Sequence, residues 1–190
     1  MRKLVVFLHT SLDGYVEGPN GAMDMGWIAY DKDLEGFANE VLRTADTIVW
    51  GRHTYEMMYE YWPTVPSDPN ATEHELNHAE WIENVEKVVF SKTLDHVEWK
   101  NATLVNDNVE AVISELKQRD GGDIVVLGSP RFAHHLMSLN LVDTFKVTVS
   151  PTIIGGGLPL FKNINEQLDL KRMSHQAFDS GALGLVYDRK

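Results

Sequence analysis

Through its first two-thirds the chain alternates short, β-branched apolar runs with longer stretches whose apolar residues recur every three or four positions. The runs are LVVFLH (4–9), TIVWG (47–51), KVVFS (87–91), ATLV (102–105) and DIVVLG (123–128). Their lengths and their Val and Ile content favour strands over buried helices. Alternation of this kind predicts strand–helix–strand units, and so an α/β sheet that is mostly parallel. Three further runs change the pattern. TFKVTVSPTII (144–154) is followed by LKRMSHQAF (170–178) and LGLVYDR (183–189), and the intervening DSGA predicts a hairpin turn. A mixed sheet with a C-terminal antiparallel hairpin is the expectation, in a single domain over residues 1–190.

The helical stretches carry their own boundaries. DLEGFANEVLRTA puts Leu34, Phe37, Val41 and Leu42 on one stripe. NVEAVISELKQRDGG predicts a helix that opens at a capping Asn108 and stops at Gly121, with Val109, Val112, Ile113 and Leu116 turned inward. SPRFAHHLMSLNL has Ser129 at the cap position and Pro130 at the first helical position. TYEMMYEYW predicts a shorter helix. PTVPSDPNAT (63–72), with three prolines, reads as a loop.

Charge narrows the partners. The net charge of −11, with no basic run, gives a field that repels nucleic acid and anionic membrane surfaces. A phosphate-bearing ligand therefore needs a local device. The chain has no cysteine, which removes disulfides, thiol nucleophiles and Cys-based zinc sites. The start, MRKLVVFL, holds only five consecutive apolar residues, too few for a secretory core or a membrane span. We expect a cytoplasmic protein.

Local devices of the required kind occur at three strand ends. IVWGRHTYE closes a strand with Gly51 and supplies Arg52, His53 and Thr54 as a helix begins. VVFSKTL ends in Ser91, Lys92 and Thr93. IVVLGSPRF repeats the design with Gly128, Ser129, Pro130 and Arg131. Glycine lets a ligand approach the backbone, a helix N-terminus offers free N–H groups, and Arg or Lys adds a cation. Open α/β sheets bind ligands at the carboxyl ends of their strands, where all three turns fall. A phosphorylated nucleotide cofactor is the joint reading.

GRHTYE resembles the G-R-x-T-[WY]-E motif of dihydrofolate reductases, and SLDGYVEGPNGAMDMGW resembles that family's first strand and active-site loop, with Asp13, Gly18 and Trp27 at similar spacing. GSPRFAHHLMSLNLVDTFKVTVSPTIIGGGLPLF is similar to the C-terminal reductase domain of riboflavin-biosynthesis deaminase–reductases and to small stand-alone relatives of that domain. The similarity runs from residue 4 to about residue 187, with 63–84 unaligned. It implies a dihydrofolate reductase-like three-layer fold and NADPH as cofactor. Gly51, Arg52, His53 and Thr54 would form one phosphate turn. Ser91 and Lys92 would surround the 2′-phosphate, favouring NADP over NAD. Gly128, Ser129, Pro130 and Arg131 would form the pyrophosphate turn, although Arg131 also reads as a solvated helix charge. The implied activity is reduction of a small pteridine- or pyrimidine-type heterocycle, like that of dihydrofolate reductase or 5-amino-6-(5-phosphoribosylamino)uracil reductase. The relatives also imply pairing as a homodimer.

In dihydrofolate reductases a buried carboxylate at the start of the first helix serves the substrate and its proton. KDLEGF resembles that D-L-x-x-F helix, which places Asp33 as the acid, with Leu34 and Phe37 as pocket walls. Asp33 reads equally as a helix cap, and Asp24 and Asp31 stand close by. Riboflavin-type relatives reduce a sugar carbon and need no acid at this position. Of the aromatic residues, Trp27, Tyr30, Tyr55, Tyr59 and Trp62 suit either a planar-substrate pocket or the core.

One motif stands outside this account. HELNH (74–78) has the H-E-x-x-H order of zinc peptidases, in which two His ligate metal and Glu is the base. Its flanks, Glu73 and Glu80, are charged, and the one tempting third ligand downstream, Glu98, lies at what reads as a strand edge. We expect no metal and a surface helix. The alternatives to a reductase are thus a non-catalytic NADP-binding module and, less favoured by the sequence, a zinc hydrolase.

Overall fold

The computed structural model describes residues 1–21, 24–164 and 166–190, so Ala22 and Met23 of the expected active-site loop lie outside the described residues. The strands are β1 Leu4–Ser11, β2 Tyr15–Glu17, β3 Ala45–Gly51, β4 Glu86–Phe90, β5 Ala102–Val105, β6 Asp123–Leu127, β7 Thr144–Ser150, β8 Leu158–Pro159, β9 Leu170–Ala177 and β10 Leu183–Arg189. The helices are α1 Lys32–Thr44, α2 Arg52–Tyr61, α3 Glu73–Asn84, α4 Val109–Gln118 and α5 Pro130–Ser138. A 3₁₀ turn, Trp62–Ser67, continues α2 into the segment expected as loop. β7 ends at Ser150 and not at residue 154, because Pro151 has no N–H to continue the ladder.

Eight strands form one sheet in the order β5-β4-β3-β6-β1-β7-β10-β9. The first six pair in parallel, and β10 and β9 add antiparallel at one edge. Alternation along the strands sorts side chains into two cores. Leu4, Val6, Leu8, Val49, Val88 and Val126 pack with Ile113 and Leu116 of α4 and Phe132 and Leu136 of α5. Phe7, Ile48, Trp50, Val89 and Val125 pack with Val41 and Leu42 of α1, Tyr55 of α2 and Ile82 of α3. A helix layer on each face of a mixed sheet is the three-layer architecture expected.

A charged residue within the second core helps to seat α3. Lys87 of β4 is fully buried, and its ammonium donates to the carbonyls of Glu83, Val85 and Lys100 at 3.2, 3.0 and 3.0 Å. All three donors are thus satisfied, and the ammonium also lies 4.8 Å from the centre of the Trp99 ring. Glu83 in turn accepts from Trp99 Nε1 at 2.6 Å. These bonds tie the C-terminal end of α3 to the sheet. Beyond the main sheet, β2 and β8 pair antiparallel. Beside them Asp13 accepts from the amides of Ile154 and Gly155, at 3.2 and 2.8 Å, which fastens the glycine-rich segment to the end of β1.

Candidate active site

The carboxyl ends of β1, β3 and β6 open into a cavity of about 480 Å³. The β3 and β6 ends pass directly into helices, and both turns line it: Gly51, Arg52, His53 and Thr54 from one, Gly128, Ser129, Pro130 and Arg131 from the other. The N-termini of α2 and α5 share an unusual feature, since neither first turn receives a side-chain cap. Gly51 has no side chain to offer. Ser129 occupies the cap position of α5 but does not cap it; its hydroxyl accepts instead from the Gly51 amide at 3.1 Å. One hydroxyl therefore locks the two turns together. Gly128 and Ser129 both have positive φ, 66° and 56°, with a trans peptide between them. For Ser129 that conformation costs on the order of 1 kcal/mol, which the cross-turn bond helps to offset.

The charges at these turns are unequally committed. Arg131 makes a bidentate ion pair with Glu17 of β2, at 2.7 and 2.9 Å, and the Glu17 side chain is buried. Its charge is thus spent on a carboxylate. Arg52 lies 3.4 Å from His53 Nε2 and, among the described residues, pairs with no carboxylate. It is the freer cation of the two.

A second cavity, of about 740 Å³, lies beside the ends of β4 and β5 and the start of α4. Ser91, Lys92, Asn106, Asn108 and His135 line it, and Phe132 is a wall of both cavities. Lys92 is exposed, and Ser91 Oγ accepts from the amides of Thr93 and Leu94, both at 3.1 Å. Asn108 stands at the N-cap position of α4, but no side-chain bond caps this helix either.

The far end of the first cavity departs from expectation. Leu34 lines it, with Ala38 beside it on α1. Asp33 does not: its carboxylate accepts from the Asp179 amide at 2.9 Å, holding the turn between β9 and β10. Asp31 is the actual N-cap of α1, accepting from Leu34 N–H at 2.8 Å and from Ser180 N–H at 2.8 Å. Trp27, Phe37 and Tyr55, expected as pocket walls, are not among the residues that line this cavity. Trp27 donates to the Asp24 carbonyl at 2.8 Å. Phe37 packs between Phe7 and Phe178. Tyr55 is buried in the core, its hydroxyl accepting from the amide of Glu98 at 3.0 Å.

Other residues take their place. Tyr30, Met57, Met58 and Trp62 line the cavity, and His9 of β1 reaches it from the sheet. His9 Nδ1 lies 2.6 Å from Thr148 Oγ1, and burial pushes the imidazole pKa down to about 4. The Tyr30 phenol is pushed up to about 12, by desolvation first and by Glu35 beside it. The available signal for His9 was a polar residue at the carboxyl end of the first buried strand.

The HELNH helix also faces this cavity, so α3 is not merely a surface helix: His74, Glu75 and His78 all line it. Glu75 is occupied. With Thr72 it forms a reciprocal capping box, its carboxylate accepting from Thr72 N–H and Oγ1, both at 2.8 Å. The T-x-x-E spacing that signals this box overlaps the zinc motif in the sequence. Among the described residues no cluster of three or more His, Cys, Asp or Glu could hold a metal ion. No helix among them is long and apolar enough to cross a membrane.

Helices on both faces of a mostly parallel sheet, with two uncapped helix starts at one cavity, define an α/β protein whose candidate site lies at the carboxyl ends of its strands. Residues 2–183 match the RibD C-terminal domain, and the chain belongs to that family. The uncharacterized protein YyaP of Bacillus subtilis (strain 168) is 34% identical over 188 residues, which cover 98% of this chain and 94% of that one. Among solved structures, a diaminohydroxyphosphoribosylaminopyrimidine deaminase/5-amino-6-(5-phosphoribosylamino)uracil reductase from Thermotoga maritima superposes with a TM-score of 0.67 at 16% identity. That match covers 100% of this chain and 57% of the other. Dihydrofolate reductase from Enterococcus faecalis, complexed with NADP(H) and RAB-propyl, superposes with a TM-score of 0.61 at 16% identity, over 99% and 96% of the two chains. The fold is dihydrofolate reductase-like.

Proposed function

We propose that this chain is an NADPH-dependent reductase of a small heterocyclic substrate. The observation that carries this reading is the pair of uncapped helix N-termini, joined by the Ser129–Gly51 bond, at one end of a cavity whose other walls are mainly apolar. Such amides suit a pyrophosphate, and family membership and fold supply the prior for a nicotinamide dinucleotide. When bound, NADPH would supply a hydride. Arg52 and the first-turn amides of α2 would hold phosphate, with Ser129 keeping the two turns in register. Lys92, in the cavity beyond Phe132, would hold the 2′-phosphate. Arg131 has the smaller part, because Glu17 already neutralises it.

The protein's remaining task is to bind the substrate and receive the charge that develops on its accepting oxygen or nitrogen. Asp33 lies outside the cavity, so we place no proton there. His9 takes this role in our reading. With Nδ1 held by Thr148, Nε2 is the ring atom left to hydrogen-bond the substrate, and a pKa near 4 keeps the imidazole neutral at pH 7. A neutral imidazole polarises an acceptor without protonating it outright, and water completes the proton balance.

NADPH and NADH titration, followed by NADPH oxidation with dihydrofolate, dihydropteridines and a ribosylaminopyrimidine, tests the proposal. Turnover of one of these, with NADPH preferred over NADH, is expected. Binding without turnover of any would favour a non-catalytic NADP-binding module, and no binding at millimolar cofactor would overturn both.

A further inference from the structure

The HELNH motif carried none of the resemblance read from the sequence, yet the fold brings it to the cavity. His74 and His78 sit one turn apart on α3, and both line the same cavity as the β3 and β6 turns. The His78 ring stacks on Trp62, with centroids 4.1 Å apart and planes 17° from parallel. Among the described residues, His74 Nδ1 and His78 Nε2 are each buried without a hydrogen-bond partner. An unpaired buried nitrogen costs roughly 1–3 kcal/mol, so two of them on one wall call for an occupant that pairs them. Rotation of an imidazole about χ2 exchanges its nitrogen and carbon edges, so the pair can offer a donor, an acceptor or one of each.

Among the described residues, the two carboxylates that line the cavity are both committed: Glu75 is in the capping box and Glu17 is clamped by Arg131. Asp33, outside it, holds the hairpin turn. None is free to neutralise a cationic amidine edge. Burial first, and the neighbouring His74 second, lower the His78 pKa to about 4, so this imidazole is neutral at pH 7. What remains is a wall of hydrogen-bonding imidazole nitrogens, with the uncharged His78 ring flat against Trp62.

We infer that His74 and His78, backed by Trp62, determine substrate specificity by binding the uncharged lactam or imide edge of a planar heterocycle, and discriminate against amidine-bearing ones. This inference rests on the reductase reading of the cavity, and its test separates the two. The affinity for NADP⁺ is measured first. Then 2,4-dioxopteridine, with a neutral imide edge, and 2,4-diaminopteridine, with an amidine edge, are titrated calorimetrically into the protein with and without NADP⁺. The dioxo compound is expected to bind at least tenfold more tightly. His78→Phe, which keeps a flat ring against Trp62, should lose about tenfold of that affinity while NADP⁺ affinity stays within twofold. His78→Gln, which restores a neutral donor and acceptor, should recover part of the loss, and its recovery distinguishes recognition from packing. Tighter binding of the diamino compound, no binding of the dioxo compound, or an unchanged dioxo affinity in His78→Phe would overturn the inference. Failure to bind NADP⁺ would overturn the reductase reading instead, and the titrations without cofactor would still decide the role of the histidine pair.

Discussion

The five α-helices of the described residues begin in two different ways. α1 and α3 follow loops and are closed by side chains: Asp31 accepts from Leu34 N–H, and Thr72 and Glu75 exchange a reciprocal pair of bonds. α2, α4 and α5 follow parallel strands and have no side-chain cap, and each of the three starts at the wall of a cavity. A free N-terminus leaves unsatisfied amides and an uncompensated positive dipole end, which a cap would remove for about 1 kcal/mol of stability. The chain takes that stability at the loop-started helices and forgoes it at the strand-started ones. The difference separates helix starts closed by their own side chains from those whose first-turn amides stay uncapped.

The sharpest way to break this comparison is to cap an open end. Gly51 has φ −84° and ψ 166°, the extended conformation of an N-cap, so Gly51→Asp can accept from the α2 amides. Its Cβ would meet Phe132 Cβ at 3.3 Å, which calls for a shift of a few tenths of an ångström. We expect NADPH affinity to fall by roughly a hundredfold or more, because a carboxylate then occupies the place of the phosphate. The melting temperature should move by only a few degrees. Affinity within threefold of wild type, read by tryptophan quenching, would show that the open end of α2 does not hold the cofactor. Arg52→Ala comes next. It removes a charge-assisted contact worth about 1.5–3 kcal/mol, or roughly a ten- to hundredfold loss for both NADPH and NADH. Lys92→Ala should weaken NADPH alone; equal losses for the two cofactors would remove Lys92 from the 2′-phosphate site.

The distinction was only half visible in the sequence. Gly51 and Gly128 could be read because glycine and a cation at a strand end are local signals, and the strands themselves were legible from β-branched runs. The caps were harder. Asp31 and Asp33 are both acidic and two residues apart, and only the position of the β9–β10 turn decides which carboxylate caps and which holds the hairpin. Ser129 has the residue type and the position of a cap, yet long-range packing turns its hydroxyl across to Gly51, 78 residues away. His74 and His78 carried the strongest motif, but their orientation depends on how α3 lies against the 3₁₀ turn and the sheet. Sequence spacing within a helix does not encode that placement. Tyr55 and Phe37 failed as pocket walls for the same reason, since aromatic spacing fits a core and a pocket alike.

A capped helix start should respond oppositely to the open ones. Thr72→Ala removes one half of the α3 box and should cost about 1 kcal/mol, lowering the melting temperature by roughly 2–4 °C. NADPH affinity should not change, because in our reading Thr72 makes no contact with the cofactor. A loss of cofactor affinity beyond threefold would mean that α3 and the open turns are coupled, and the two classes of helix start would no longer be independent.

The smallest effect is also the most selective. Hydrogen bonds from Ser180 and from the Leu34 amide hold Asp31 below its ordinary value of 3.8, and those from the amide and hydroxyl of Thr72 hold Glu75 below 4.5. Both folded-state values are depressed, so the stabilisation is fully present above those ordinary values and is lost as pH falls through the lower, folded ones. Both groups lie close to solvent, which keeps the effect small. The amide protons that these carboxylates accept, Leu34 for Asp31 and Thr72 for Glu75, should therefore shift together on acid titration followed by NMR. Glu75 is the cleaner reporter, since Asp31 has Asp33 two residues away. The amides of His53 and Thr54, at the start of α2 with no carboxylate cap, should stay flat over the same range. If they titrate as well, a carboxylate does reach the open end of α2. The contrast between closed and open helix starts would then be one of degree, set by which carboxylates lie within reach of each first turn.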